Sequence, residues 1–137
     1  MKNEKNSIKV VIDTNILVSA FWSENSKIYN IIRLVLSDEV VVCYSAEIMR
    51  EYKAVLGRPK FSFRFSSDKV EDVLEKITAD GICVAVKPST VALPDEDDRC
   101  FYDVAVSCNA ILITGNTKHF PGKMSAMTPA RFLSDIE

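Results

Sequence analysis

The residues best suited to chemistry in this sequence are three acids, Asp13, Glu51 and Asp98. Asp13 directly follows the apolar run 8–12, and Asp98 ends the acidic run 95–98 just before a helical pattern. In an open α/β sheet, ligands bind beyond the carboxyl ends of the strands. Three carboxylates at one such edge repel each other and have raised pKa values unless a cation lies between them. Oxygen ligands with room for water and phosphate favour Mg²⁺ or Mn²⁺, and such a site can hydrolyse a phosphodiester.

Glu51 is selected by its position within a helical pattern. It lies three residues after Ile48 and four before Val55, so it shares their apolar face. A carboxylate on that face is costly unless something pairs with it. A salt bridge at the edge of the face is the alternative interpretation, and Glu47, one turn earlier, is the competing acid.

Asp98 is selected in the same way from its acidic run. It lies three residues before Phe101, on the apolar face of the following helix. Asp97 is then predicted to be the helix N-cap, with residues 95–96 in a solvated loop. The alternative interpretation of Asp13 is a structural one, because the sequence Asp-Thr-Asn is also typical of turns and helix caps.

Short apolar runs alternate with helical patterns along the chain, which predicts βαβ units and a parallel sheet. The predicted strands are 8–12, 40–44, 82–86 and 110–113, with a last short strand near 123–127. The helical patterns cover 28–35, 48–55, 70–77 and 101–108, and a final helix begins at Pro129 with Thr128 as its cap. Gly57 and Gly81 are predicted helix stops.

Composition limits the function classes. With 137 residues, 47% of them hydrophobic and 26% charged, the chain is predicted to be one globular domain spanning 1–137. No apolar run approaches the ~20 residues that span a bilayer, and the first residues lack the apolar core of a signal peptide, so we expect a cytoplasmic protein without a membrane segment. The net charge of −2 excludes nucleic-acid binding by bulk charge, so a local basic patch or metal ions are required.

The sequence lacks the residues that several other types of active site require. The four cysteines form no CxxC pair and only one histidine is present, so we expect reduced, packing cysteines rather than a zinc site. A P-loop is absent, and Asn15 stands where a haloacid-dehalogenase-like phosphatase needs a second Asp. His119 follows no nucleophile elbow, which argues against a Ser-His-Asp hydrolase.

Five segments in this order resemble the PIN (PilT N-terminus) domain family of nucleases, and within it the bacterial toxins of toxin–antitoxin pairs. The segments are 10–16, 45–56, 94–98, 113–120 and 128–133. The family's acids fall on Asp13, Glu51 and Asp98. The resemblance implies a three-layer α/β/α sandwich with the first strand central, single-stranded RNA as substrate, and a cognate antitoxin as partner.

The main departure from the family pattern is Asn116, which occupies a position where the family usually has a fourth acid; His119 occupies another such position. An asparagine can still bind a metal through its carbonyl oxygen. The resemblance therefore implies a Mg²⁺- or Mn²⁺-dependent endoribonuclease with Asp13, Glu51, Asp98 and Asn116 as metal ligands. The alternative is a catalytically weak RNA-binding or scaffold PIN module, and a DNA-acting nuclease of the flap-endonuclease type would need more acids.

Further residues are predicted to contact the substrate. Thr14, Asn15 and Thr114 lie at the same strand ends as the acids, where they can orient Asp13 or bind phosphate. Residues 57–65 form the densest basic and aromatic stretch, in which Arg58, Lys60 and Arg64 are predicted to bind phosphates. The alternative is that the phenylalanines of this stretch pack in the core or in a homodimer contact.

Overall fold

Five short strands form one parallel sheet in the computed structural model, which describes residues 7–120 and 124–136. The strands are β1 (Ile8–Ile12), β2 (Val40–Tyr44), β3 (Ile82–Cys83), β4 (Ile111–Ile113) and β5 (Ala126–Met127), in the spatial order β3-β2-β1-β4-β5. In the centre of the sheet Val10 pairs with Val42 on one side and with Ile111 on the other. The predicted parallel α/β/α architecture with the first strand central is confirmed.

Helices connect the strands and cover the sheet. They are α1 (Thr14–Trp22), α2 (Tyr29–Leu36), α3 (Ala46–Leu56), α4 (Ser67–Asp80), α5 (Arg99–Cys108) and α6 (Pro129–Asp135). Thr128 accepts a hydrogen bond from the Arg131 N–H at 3.2 Å, which confirms the predicted cap of α6. None of the helices in the described residues is both long enough and apolar enough to cross a membrane.

Gly81 ends α4 where two parts of the backbone approach closely. A Cβ atom at this position would lie 2.4 Å from the carbonyl oxygen of Ile77 and 2.6 Å from that of Val42. No side chain fits in that space, so the predicted helix stop at Gly81 is also a packing requirement. Gly57, the other predicted stop, is the C-cap of α3.

The third strand departs most from the prediction. It covers only Ile82–Cys83 instead of 82–86, and both residues are exposed rather than buried. The reason is its place at the edge of the sheet, where β2 is its one strand partner among the described residues. Cys83 is therefore not the packing residue that was expected. The last predicted strand shortens to Ala126–Met127, and its first residue, Lys123, lies outside the described residues.

One buried hydroxyl ties α3 to the end of β1. The Tyr52 side chain is completely buried, and its hydroxyl donates a hydrogen bond of 2.6 Å to the backbone carbonyl of Ile12. Burial is the main reason why the pKa of Tyr52 lies above its ordinary value, and the charge of Asp13 raises this pKa further. The protonated hydroxyl thus fixes the carboxyl end of the central strand against the helix that carries Glu51.

Replacing Tyr52 by Phe should lower the free energy of unfolding by about 1–2 kcal/mol, because a buried carbonyl loses its hydroxyl donor. Urea titration of both proteins measures the change. Tyr102→Phe is the matched control, since this half-buried tyrosine makes no hydrogen bond through its hydroxyl with the described residues; its effect should stay within about 0.5 kcal/mol. Equal losses in the two variants would contradict a specific role for the Tyr52 hydroxyl.

Candidate active site

The strand order reverses between β1 and β4, and the carboxyl ends of these two strands are joined by hydrogen bonds. The Asp13 N–H donates to the Ile113 carbonyl at 3.0 Å, and the Thr114 hydroxyl donates to Asp13 Oδ2 at 2.8 Å. The Asp13 residue is only 9% exposed. Such a reversal is where open α/β sheets form their ligand-binding crevice. The structure therefore places Asp13 and Thr114 together at the expected position.

Glu51 is brought to the same edge by the residue that follows Asp13. The buried Thr14 hydroxyl, in the first residue of α1, donates a hydrogen bond to Glu51 Oε2. Glu51 is half-buried, whereas Glu47, the competing acid of α3, is exposed. Of the two acids, Glu51 is thus the one that is oriented by a partner.

Asp98 lies at the beginning of α5, but the predicted cap is wrong. A turn of 3₁₀ helix over Glu96–Asp98 precedes α5, and the Asp95 side chain caps it by accepting from the Asp97 N–H at 2.9 Å. The extra turn moves the capping residue two positions earlier than Asp97. Asp98 is the last residue before α5, and its carboxylate remains available to other groups.

The Asp98 carboxylate faces the single histidine. His119 Nδ1 lies 3.1 Å from Asp98 Oδ2, and the Asp98 side chain is 17% exposed. Burial raises the pKa of Asp98, the charges of Asp13 and Asp95 add to that effect, and the hydrogen bond with His119 opposes it. The influence of Asp13 on this pKa reflects the proximity of the two acids. The sequence does not predict this contact with His119, because 21 residues separate the two groups along the chain.

An arginine that the sequence did not single out fixes the entrance to α5. The Arg99 guanidinium donates to the Ser89 carbonyl and hydroxyl, to the Val91 carbonyl, and to both carboxylate oxygens of Glu96, over 2.6–2.9 Å. Asp103 accepts from the Ser89 N–H at 3.1 Å. These bonds attach the extended segment before the acids to α5. The positive charge of Arg99 is therefore paired with Glu96 and not with any of the three carboxylates.

The site offers hard oxygen ligands. Glu51 Oε1 and Asp98 Oδ1 have no hydrogen-bond donor among the described residues, and the exposed Asn116 donates its backbone N–H to the Thr114 hydroxyl at 3.1 Å. In residues 7–120 and 124–136, no three His, Cys, Asp or Glu side chains are spaced to enclose a metal ion by themselves. Mg²⁺ does not need such an enclosure, because it keeps several waters and binds one or two carboxylates together with substrate phosphate. The chemistry of these donors fits that ion.

Cysteine chemistry does not compete at this site. Burial, with the charges of Glu47 and Glu51, raises the pKa of Cys100 to about 12. The thiolate is the nucleophilic form of cysteine, and this raised pKa disfavours it at neutral pH.

The residues predicted to bind RNA fall into two groups. Thr14 and Thr114 are bonded to the carboxylates, and the Asn15 N–H lies 3.4 Å from Asp13 Oδ1. Arg58, Lys60 and Arg64 lie beyond the C-terminal end of α3, and no hydrogen bond or ion pair within the described residues connects them to the carboxylates.

Two of these three cations cover aromatic rings. Arg64 donates to the Trp22 carbonyl at 2.8 Å and lies 4.7 Å from the centre of its ring, while Lys60 lies 5.1 Å from that of Phe61. A role of this group in RNA binding stays a prediction.

A sequence model of the PIN domain matches residues 9–118. The chain belongs to the PIN domain family. PIN domains are generally nucleases, and those nucleases typically use divalent metal ions. In this PIN domain Asp13, Glu51 and Asp98, the acids selected from the sequence, are held at one edge of the sheet.

The chain is also similar to two other known proteins. The chain is 34% identical over 118 residues to an uncharacterised protein of Methanocaldococcus jannaschii, covering 84% of this chain and 75% of the relative. The fold of the present chain is similar to that of a chain in the crystal structure of VapBC2 from Rickettsia felis bound to a DNA fragment from their promoter. That match has a TM-score of 0.59 and 16% identity, and it covers 88% of this chain and 98% of the other. At this identity the second likeness concerns the fold.

Replacing Asp98 by Asn should raise the free energy of unfolding at pH 7 in metal-free buffer. A carboxyl group whose pKa is higher in the folded than in the unfolded state weakens the fold when it is ionised. The gain should shrink as the pH falls through the raised pKa and vanish below the ordinary value of 3.8. Urea titrations between pH 3 and 7 measure it.

Glu96→Gln is the matched control of opposite sign. The pKa of Glu96 is lowered by its hydrogen bonds to Arg99, so its charge stabilises the fold above its unfolded pKa. This variant should lose stability at pH 7 and approach the wild type as the pH falls through the lowered pKa. The same sign in both variants would contradict the assigned environments.

Proposed function

We propose that this PIN domain is a divalent-metal-dependent endoribonuclease that cleaves single-stranded RNA in the cytoplasm. The observation that carries the proposal is the joint placement of Asp13, Glu51 and Asp98 at the strand reversal, each oriented by a hydroxyl or an imidazole. Mg²⁺ or Mn²⁺ suits these donors, with the Asn116 carbonyl oxygen as an additional ligand. When bound, such an ion supplies a nucleophile at neutral pH and stabilises charge on the phosphate.

The residues of the chain have separate roles in this proposal. Asp13, Glu51 and Asp98 provide the carboxylates that would hold the cation. Thr114 and Thr14 are positioning residues, because their hydroxyls orient Asp13 and Glu51 without neutralising them. Their neutrality preserves the negative charge that attracts a cation.

The proposed biological role is that of a toxin controlled by a cognate antitoxin. Its support is the resemblance to bacterial toxins of toxin–antitoxin pairs and the likeness in fold to a chain of the VapBC2 structure. Co-expression with the product of the neighbouring gene tests the partnership: a stable complex with suppressed RNA cleavage is expected. Unchanged cleavage in the presence of that product would contradict control by it.

Asn116 favours a second candidate, a catalytically weak RNA-binding or scaffold module. Its side chain is neutral and exposed, and it makes no hydrogen bond with the described residues, so it gives the edge less negative charge than an acid would. Such a module should bind RNA equally well with and without Mg²⁺ and leave it intact. Metal-dependent cleavage by the purified wild type distinguishes the two functions.

Asp13→Asn should reduce RNA cleavage by about a hundredfold or more. Residues that merely orient a metal ligand are worth about 10–100-fold in affinity or activity, and loss of the ligand itself should cost at least the upper value. Cleavage of a labelled single-stranded RNA in Mg²⁺ measures the effect. Asp97→Asn, at an exposed acid near α5, is the control and should keep its activity. Wild-type cleavage by folded Asp13→Asn would remove Asp13 from the site.

Mg²⁺ or Mn²⁺ should raise the melting temperature of the wild type, because a ligand that binds only the folded state stabilises it by mass action. At a metal concentration a hundred times the Kd, the free energy of unfolding should rise by about 2.7 kcal/mol. Asn116→Asp should enlarge this shift, because it adds an anionic oxygen at the edge. Asn25→Asp adds the same charge at an exposed position between α1 and α2 and should leave the shift unchanged. Equal shifts in all three proteins would place residue 116 outside the metal site.

A further inference from the structure

A cavity opens at the same edge of the sheet as the three acids. It has a volume of about 520 Å³ and lies between the beginning of α3, the segment after β3 and the beginning of α5. Glu47 lines it one turn before Glu51, and Cys100 lines it two residues after Asp98. Four residues of a helix span about 6 Å along its axis, so the cavity adjoins the carboxylates. Its volume is in the range of small-ligand sites.

The segment after β3 forms a fixed and largely apolar wall of this cavity. Val84 and Val86 are half-buried and pack against the core, while Ala85 between them is exposed, so burial alternates along the segment as in a strand. The Val84 N–H donates to the Tyr44 carbonyl at 2.9 Å, which holds the segment against the end of β2. A planar ring that enters the cavity therefore meets side chains that are already ordered.

The backbone of this segment has free hydrogen-bonding groups. Strand β3 ends at Cys83, and the last backbone bond to β2 is that of Val84. The backbone groups of Ala85 and Val86, which also line the cavity, make no hydrogen bond with the described residues. These N–H and carbonyl groups are therefore available to a ligand.

One acid of the lining is not used by the fold. Glu96 is bonded to Arg99, and Asp103 accepts a hydrogen bond from a backbone N–H at 3.1 Å. Glu47, exposed in the first turn of α3, accepts no hydrogen bond and forms no ion pair within residues 7–120 and 124–136. Its charge contributes to the raised pKa of Cys100, which places its carboxylate near that thiol. Glu47 is thus the acid that can bind a ligand in the cavity.

We propose that this cavity binds an unstacked guanine base of the RNA, next to a phosphate at the three acids. The Glu47 carboxylate accepts hydrogen bonds from the N1–H and the N2 amino group of the base, and a backbone N–H of Ala85 or Val86 donates to O6. Phosphate itself suits the cavity less well, because Glu47 repels it. The inference rests on the proposed endoribonuclease function for the presence of RNA at this edge.

The donors on the base decide which nucleotide fits. A carboxylate only accepts hydrogen bonds, and guanine presents two adjacent donors on its Watson–Crick edge. In adenine and cytosine, the amino donor stands next to a ring nitrogen that is an acceptor. In uracil, the one donor stands between two carbonyl oxygens. These acceptors would face the negative charge of Glu47, so the cavity selects guanine.

Free guanosine should bind the wild type about tenfold or more tightly than adenosine, cytidine or uridine, because each of these has one donor fewer for Glu47. Titration of ¹⁵N-labelled protein in metal-free buffer, followed by the chemical shifts of its backbone amides, measures the Kd values. The amide signals of Ala85 and Val86 should move. Inosine, which keeps the N1–H and lacks the N2 amino group, should bind with intermediate affinity. Equal Kd values for guanosine and uridine would overturn the proposal.

Glu47→Gln should weaken guanosine binding by about tenfold or more, because the amide replaces one acceptor oxygen by a donor. Glu71→Gln is the matched control, since it removes the same charge at an exposed residue of α4 and should bind guanosine like the wild type. Both positions are exposed, so neither variant should change the fold. Wild-type guanosine affinity in Glu47→Gln, or an equal loss in Glu71→Gln, would remove Glu47 from the base site.

Cleavage assays separate this inference from the proposed function. In Mg²⁺ the wild type should cleave an oligouridine that carries one guanosine with a kcat/KM about tenfold or more above that for oligouridine alone, and Glu47→Gln should bring this ratio near one. Guanosine binding by a protein that cleaves no RNA would contradict the proposed function and leave the base site intact. Metal-dependent cleavage of both RNAs at equal rates would overturn the base site and leave the proposed function intact.

Discussion

The hydrogen bond from the Thr114 hydroxyl to the Asp13 carboxylate joins the two central strands where the strand order reverses. Without it, a largely buried charge would lose its side-chain donor. The Asp13 N–H is held by the Ile113 carbonyl of the same neighbouring strand, so both ends of the residue are fixed. Thr14 then positions Glu51 relative to Asp13 through one further bond. The geometry of the edge depends on this short chain of contacts.

The partners of the acids are neutral hydroxyls and one imidazole. Hydroxyls satisfy the hydrogen-bonding capacity of a carboxylate but leave its charge in place. Arg99 directly follows Asp98 in the chain, but its guanidinium donates hydrogen bonds to Glu96 and Ser89 instead. The edge is therefore ordered and still negative, and the raised pKa of Asp98 is the cost of that arrangement. A divalent cation would relieve this repulsion.

Helix α3 carries part of the acidic edge and borders two cavities. It begins directly after the carboxyl end of β2, where Glu47 lines the first cavity, carries Glu51 and Tyr52 in its middle, and ends at an apolar groove that it forms with α4. Glu51 lies five residues before Leu56, which lines the groove, so the two positions are about 7.5 Å apart along the helix axis.

Three features follow from the sequence alone, because hydrophobic periodicity is a local property. They are the parallel alternation of strands and helices, the bounds of β1 and β2, and the choice of the three acids. The shortness of β3 does not follow from the sequence, since pairing at a sheet edge depends on what lies beside it. Neither does the contact of Asp98 with His119, or the bond from Tyr52 to Ile12 across 40 residues. The alternating phenylalanines of 57–65 are compatible with both core and surface positions, and tertiary packing alone exposes Phe63. Partners distant in the chain are chosen by how the layers pack, and no local pattern encodes that choice.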